Sequence, residues 1–284
     1  MIADSELIFN ADGSIYHLNL LPDDVADTII FVGDPDRVPL VSEYFDTVDV
    51  RKGKREFITH TGSLRGKRIS VISTGIGTDN IDIVLNEIDA LVNVDFKTRR
   101  LKEEIRSVDI IRIGTSGAIQ DDIAMDSLLV SEYAIGFDTL MQFYKKTYTP
   151  EELEIQDALN NTFSGLSFKP YVAKASEKLF KKIAADLPKG ITLTAPGFYA
   201  PQGRQIRSNN VYANLIEQAN CVELSGQKIT NLEMETAGIY ALCNMFGHHA
   251  LSINAILASR VNGKFSINPS EIINQAIRYV LDRL

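Results

Sequence analysis

Residues 28–38 read TIIFVGDPDRV: an apolar run that stops abruptly in a glycine, two acids, a proline and an arginine. TIIFV is β-branched, aromatic and uninterrupted, which predicts a strand covered on both faces. Two readings of the sequel stand side by side. Gly, Asp and Pro are ordinary turn residues. The carboxyl end of a buried strand is also where open α/β sheets place ligands. There glycine lets backbone N–H groups approach an anion, and arginine offers a planar charged fork.

The pattern repeats outward from this stretch. RISVIST at 68–74, DIIRIG at 109–114, SLLVSEYAI at 127–135 and LSINAILAS at 251–259 also read as buried strands. Helical spacing of apolar residues marks IDIVLNEIDALVN at 81–93, SEKLFKKIAADL at 176–187, METAGIYALCNMFG at 234–247 and PSEIINQAIRYVLDRL at 269–284. Alternating strands and helices predict an α/β sandwich on a mixed or largely parallel sheet. The charged run 93–109 reads as a solvated helix extension or an insertion, and KKTYTPEELEIQDALNN at 145–161 as surface.

Composition narrows the function. With 284 residues and 45% hydrophobic content the chain can bury a large core. A net charge of −8 argues against a nucleic-acid binder, which carries a basic face. No apolar run approaches a membrane span, and the acidic N-terminus does not read as a signal peptide. Cys221 and Cys243 form no CxxC, which suits a reducing cytoplasm. His17, His60, His248 and His249 make no zinc pattern, so no metal site is expected.

Two glycine-rich turns add chemistry. STGIGTDN at 73–80 has Gly75 and Gly77 but Asn80 where a dinucleotide fingerprint needs its third glycine, and no Walker A sequence occurs. RIGTSGAIQ at 112–120 puts Arg112 late in an apolar strand, where a charge needs a partner or a ligand. Gly114-Thr115-Ser116-Gly117 then offers hydroxyls and backbone N–H groups suited to phosphate.

Together these pieces resemble the nucleoside phosphorylase family, in its uridine phosphorylase branch. The matching stretches, in order, are YHLNL (16–20), GDPDRV (33–38), KREF (54–57), STGIG (73–77), RIGTSGAIQ (112–120), FYAPQGR (198–204), NLEMET (231–236) and Ser259-Arg260. The resemblance implies one domain over residues 1–284, a three-layer α/β/α sandwich with a central mixed sheet, carrying 93–109 as a charged insertion. It implies phosphorolysis of uridine, with inorganic phosphate as co-substrate and no cofactor. By position, Gly33, Arg37, Arg112 and Thr115 resemble the phosphate site, and Arg55 an arginine that reaches the neighbouring subunit's phosphate. Glu233, Met234 and Glu235 resemble the ribose motif, with His17 reaching the ribose 5′-hydroxyl from the partner. Phe198, Gln202, Arg204 and Arg260 resemble the base site. Arg112, Gln202 and Arg204 are thereby the expected catalytic set, and a homodimer the minimal active unit, with a hexamer as a trimer of dimers.

Residues 254–262 contain no acid where purine-cleaving relatives place an aspartate, which favours a pyrimidine. Three departures stand out. Thr78-Asp79-Asn80 replaces the commoner Gly-Pro-Ser, beside Glu56, where some members bind a monovalent cation between subunits. Ala200-Pro201 replaces Pro-Gly, and the 93–109 run is long. The same fold also hosts purine and methylthio-nucleoside phosphorylases or hydrolases, and a non-catalytic nucleoside binder is a further alternative.

Overall fold

TIIFV forms β1 (Thr28–Val32), buried along its whole length, in a computed structural model that describes residues 1–224 and 226–284. Beside it an antiparallel meander, β2 (Thr47–Lys54), β3 (Phe57–Leu64) and β4 (Lys67–Ser73), completes one end of the sheet. β2 is the outer strand, and its alternating exposure and basic residues suit an edge. The helix read at 81–93 is α2 (Thr78–Asn93), preceded by α1 (Arg37–Ser42). After α2 the charged segment does not prolong the helix. It turns back as a ribbon of β5 (Val94–Asp95) and β6 (Arg100–Leu101).

β7 (Asp109–Ala118) runs four residues past the strand end that its glycines suggest. It pairs with β1 through Ile113, and with β12 (Gln227–Glu233) only from Gly117. Between them, Gly114–Ser116 is unpaired on that edge, which makes a switch point in the strand order. The other edge stays continuous because β13 (His249–Ser259) pairs along the full length of β7.

The remaining elements are β8 (Leu128–Gly136), α3 (Pro150–Thr162), β9 (Tyr171–Lys174), α4 (Glu177–Leu179), β10 (Lys189–Thr194), α5 (Leu215–Cys221), β11 (Glu223–Leu224), α6 (Thr236–Phe246), β14 (Lys264–Phe265) and α7 (Pro269–Leu281). The sheet is mixed, in the order β11-β12-β10-β8-β13-β7-β1-β4-β3-β2, and the β12–β7 pairing closes β7, β13, β8, β10 and β12 into a ring. Helices pack on it: α1 on β3 and β4, α7 on β7 and β13, and α6 on β8, β10 and β13, with α2 packed against α6. This is the α/β arrangement with a central mixed sheet read from the sequence.

Two segments depart from that reading. The helix expected over 176–187 is only α4 followed by a wider turn at 180–184. The 145–161 stretch is not simply surface. Thr149 and Glu152 form a reciprocal cap for α3, and Glu152 pairs with Lys146 at 2.7 Å where both side chains are 2% exposed. Ile155 and Leu159 bury one stripe of α3 against Phe137, Phe163 and Ile191, a second apolar cluster. Charge counting misses this because a buried lysine and glutamate look solvated in a sequence.

Candidate active site

β1, β4, β7 and β13 run parallel, so their carboxyl ends lie on one side of the sheet. The loops leaving β1, β4 and β12, with the switch point of β7 and the 198–204 loop, surround one cavity of about 630 Å³. Gly33, Arg37, Arg112, Thr115, Phe198, Gln202, Arg204, Glu233, Met234 and Glu235 all line it. Of the residues expected in the site, His17, Arg55 and Arg260 do not line it.

The GDPDRV loop is a structured turn as well as a cavity wall. The Asp36 backbone N–H donates to Asp34 Oδ1 at 2.9 Å, and the Arg37 N–H donates to the Asp34 carbonyl at 3.1 Å, which starts α1. Arg37 leaves the first turn of α1 toward the cavity and forms no ion pair among the described residues. Burial lowers its pKa, and the neighbouring Arg112 charge lowers it further.

Arg112 is buried at 5% exposure and held on several sides. Its Nη1 donates to Asn254 Oδ1 at 3.1 Å, and its Nη2 donates to Glu235 Oε2 and lies 3.2 Å from Glu233 Oε2. Burial works against the Arg112 charge, and Glu233 and Glu235 more than restore it, so its pKa is raised. Glycine is required at 114 because a Cβ there would come within 1.6 Å of Arg112 Nη1.

Glu233 and Glu235 occupy a strand end and a helix start, as their spacing requires. Their surroundings differ. Glu233 Oε2 accepts from the backbone N–H groups of Glu235 and Thr236, each at 2.9 Å, and from the Thr236 hydroxyl. Its Oε1 accepts from Thr194 Oγ1 at 2.5 Å. That carboxylate is thus largely consumed in starting α6. Glu235 Oε1 accepts from the Gly77 N–H at 2.8 Å, tying the STGIG turn to the site. Burial pushes the Glu235 carboxyl up, with Arg112 opposing the shift. Gly75 and Gly77 both have positive φ, and a Cβ on Gly75 would meet Asn80 Nδ2 at 2.4 Å and Glu56 Cγ at 2.9 Å.

At the other end, Gly203 turns the 198–204 loop with φ 68. Arg204 Cζ stands over Phe198, 3.7 Å from the ring centroid, so that face of the phenyl ring is occupied. Arg204 Nη1 donates to Gln202 Oε1 at 2.6 Å. A guanidinium can only donate, so this contact turns the amide oxygen toward Arg204 and leaves the Gln202 NH₂ as the free donor. Burial pushes Arg204 down to about 10, with Arg260 the next cause, and it stays cationic at neutral pH. Arg260 packs its Cγ 3.4 Å from where a Gly117 Cβ would stand, and its Nη1 is buried with no hydrogen-bond partner. Neither arginine forms an ion pair among the described residues.

His17 and Arg55 share a different neighbourhood. His17 Nδ1 is 2.7 Å from Glu87 Oε1, and its ring stands edge-on to Phe57 with centroids 6.5 Å apart. Lys54 Nζ donates to the Tyr16 carbonyl at 2.7 Å, joining the N-terminal segment to the β2–β3 turn. Arg55 sits in that turn, exposed, with φ 57. Among the described residues no group of three or more His, Cys, Asp or Glu could hold a metal ion.

Sequence reasoning missed several cavity residues. Phe265, on β14, lines the wall while 63% exposed, and a lone aromatic in a short polar hairpin gives no usable signal. Outside the cavity lining, the Arg112 partner Asn254 did leave a signal: it alternates with Ser252 in LSINAIL, polar residues at strand period inside an apolar run.

Residues 27–277 match the family model of the phosphorylase superfamily. The chain is 30% identical to a uridine phosphorylase of Thermococcus kodakarensis over 89% of this chain and 80% of that protein. It is 26% identical to a DeoD-type purine nucleoside phosphorylase of Listeria monocytogenes over 84% of each. The crystal structure of a Trypanosoma brucei nucleoside phosphorylase that shows uridine phosphorylase activity superimposes with a TM-score of 0.89 at 29% identity, covering 98% of this chain and 99% of that one.

Proposed function

This chain belongs to the phosphorylase superfamily, and on that premise we propose that it cleaves uridine with inorganic phosphate to uracil and ribose 1-phosphate. The observation that carries the reading is the placing of cations around one cavity. Arg37 and Arg112 stand at one end, and Arg204, backed by Arg260, at the other. Two anions need that arrangement: the attacking phosphate and the departing base.

In the proposed reaction Arg37, Arg112, Thr115 and the Gly33 loop hold phosphate through charge-assisted donors. Met234 and Glu235 hold the ribose between the two ends, with the Glu235 carboxylate accepting from a sugar hydroxyl. Cleavage of the glycosidic bond leaves positive charge on the sugar and negative charge on the base. The phosphate anion stabilises the first and attacks the anomeric carbon. The free Gln202 NH₂ and Arg204 stabilise the second at the uracil oxygens. The base stacks on the Phe198 face that Arg204 leaves open. A panel of uridine, deoxyuridine, inosine and adenosine with phosphate tests the base assignment. Uridine is expected to be cleaved fastest, and faster cleavage of inosine or adenosine would move the chain to the purine reading.

The active unit in this reading is at least a dimer. His17 and Arg55 lie together and off the cavity of their own chain, which suits delivery to a neighbour's ribose and phosphate. Arg55→Ala and Arg112→Ala homomers are each expected to be inactive. Hybrids made by co-expression are expected to regain about a quarter to a half of wild-type activity, because one site keeps both arginines. Hybrids as inactive as their parents would place Arg55 outside any shared site. A hexamer, one domain over 1–284 with 93–109 inserted, and a cytoplasmic role in pyrimidine salvage complete the proposal. No helix among the described residues is long and apolar enough to cross a membrane.

A further inference from the structure

We infer that a one-way chain of buried hydrogen bonds, started by Arg112, obliges Ser116 to present its hydroxyl proton to the cavity, where it binds an acceptor oxygen of the nucleoside. The inference rests on the proposed function for the identity of the ligand, and on the closed ring of strands for its geometry.

The links cross the ring interior. Arg112 Nη1 donates to Asn254 Oδ1 at 3.1 Å, and Asn254 Nδ2 donates to Ser131 Oγ at 3.0 Å. Ser131 Oγ lies 2.5 Å from Thr192 Oγ1, which donates to Asn231 Oδ1 at 2.8 Å. Asn231 Nδ2 donates to Ser116 Oγ at 2.9 Å. Ser131, Thr192, Asn231 and Asn254 are fully buried, so no water can reverse a link.

The direction is forced from the Arg112 end. A guanidinium has no acceptor, so Asn254 must turn its oxygen to Arg112 and its NH₂ to Ser131. Ser131 then has one proton to place, and Thr192 is its remaining partner. Thr192 has accepted, so it donates to Asn231, whose oxygen also faces the Thr230 hydroxyl at 3.0 Å. A flipped Asn231 would drive Thr192 back onto Ser131 and strand a buried proton there, a costly orphan. Asn231 therefore donates to Ser116.

Ser116 Oγ is left with its own proton and no acceptor for it among the described residues. It is 8% exposed and lines the cavity. It lies on β7 between Thr115, at the phosphate end, and Gly117, which backs onto Arg260 at the base end. An acceptor on the nucleoside, a sugar or carbonyl oxygen, fits that position. The same Arg112 that faces phosphate thus fixes a donor for the other substrate.

The test is Ser116→Ala in the full-length protein, read by calorimetry with uridine alone and by steady-state kinetics varying uridine and phosphate separately. The affinity for uridine and its KM are expected to weaken about tenfold with the phosphate KM nearly unchanged, and the melting temperature is expected to fall as well, because the buried Asn231 NH₂ loses its acceptor. Unchanged uridine binding, a rise in the phosphate KM alone, or a fall in melting temperature with kinetics intact would each overturn the inference. Wild-type protein that binds uridine while Ser116→Ala binds it equally overturns this inference alone. Wild-type protein that binds no uridine removes the proposed function, and this inference with it.

Discussion

Replacing Arg112 with alanine is expected to abolish turnover and weaken the fold in one step. The guanidinium is the sole cation in ion-pair reach of Glu233 and Glu235 among the described residues. Removing one partner of a buried pair leaves an uncompensated charge, a loss of about 3–5 kcal/mol. Activity should fall at least about 10³-fold, the scale of losing a charged donor aimed at the reacting group. The double variant Arg112→Ala with Glu235→Gln separates the effects. Neutralising Glu235 should recover part of the stability, read by chemical denaturation, while activity stays lost. Gly114→Ala should mimic the catalytic loss from the backbone side, since its Cβ would overlap Arg112 Nη1. An Arg112→Ala enzyme with ordinary kcat/KM would remove Arg112 from the phosphate site.

Arg204→Ala should produce the opposite pattern, a large catalytic loss on an intact fold. Arg204 is half-buried, and among the described residues its side chain hydrogen-bonds only within its own loop and carries no ion pair. Stability should therefore change by less than about 0.5 kcal/mol. Its charge and its orientation of Gln202 act together on the leaving base, so kcat/KM for uridine should fall about 10²- to 10³-fold. The phosphate KM should hold. Arg204→Lys should rescue little, because lysine keeps the charge but loses the planar fork that stands over Phe198 and orients the amide. Equal losses for uridine and phosphate would mean that the loop shapes the whole cavity rather than the base end.

Much of this was legible in the sequence for identifiable reasons. The TIIFV run, the other apolar strands and α2, α6 and α7 follow from hydrophobic pattern, because their packing is local to each element. GDPDRV and STGIG announced themselves by glycine and arginine at strand ends. What pattern could not show was long-range pairing. β7 continues through two glycines because β13 supports one edge throughout while β1 and β12 share the other, and no local preference encodes that. For the same reason the Arg112–Asn254 contact, across 142 positions, was visible only as an unexplained charge and an unexplained amide in two strands. Glu233 looked interchangeable with Glu235 in NLEMET, and only the helix start it serves tells them apart.

The central claim is that this cavity carries out phosphorolysis, and the most direct measurement is uracil release from uridine with and without inorganic phosphate. The account predicts release that depends on phosphate and yields ribose 1-phosphate in equal amount. Release at the same rate without phosphate, with free ribose as the product, would contradict it.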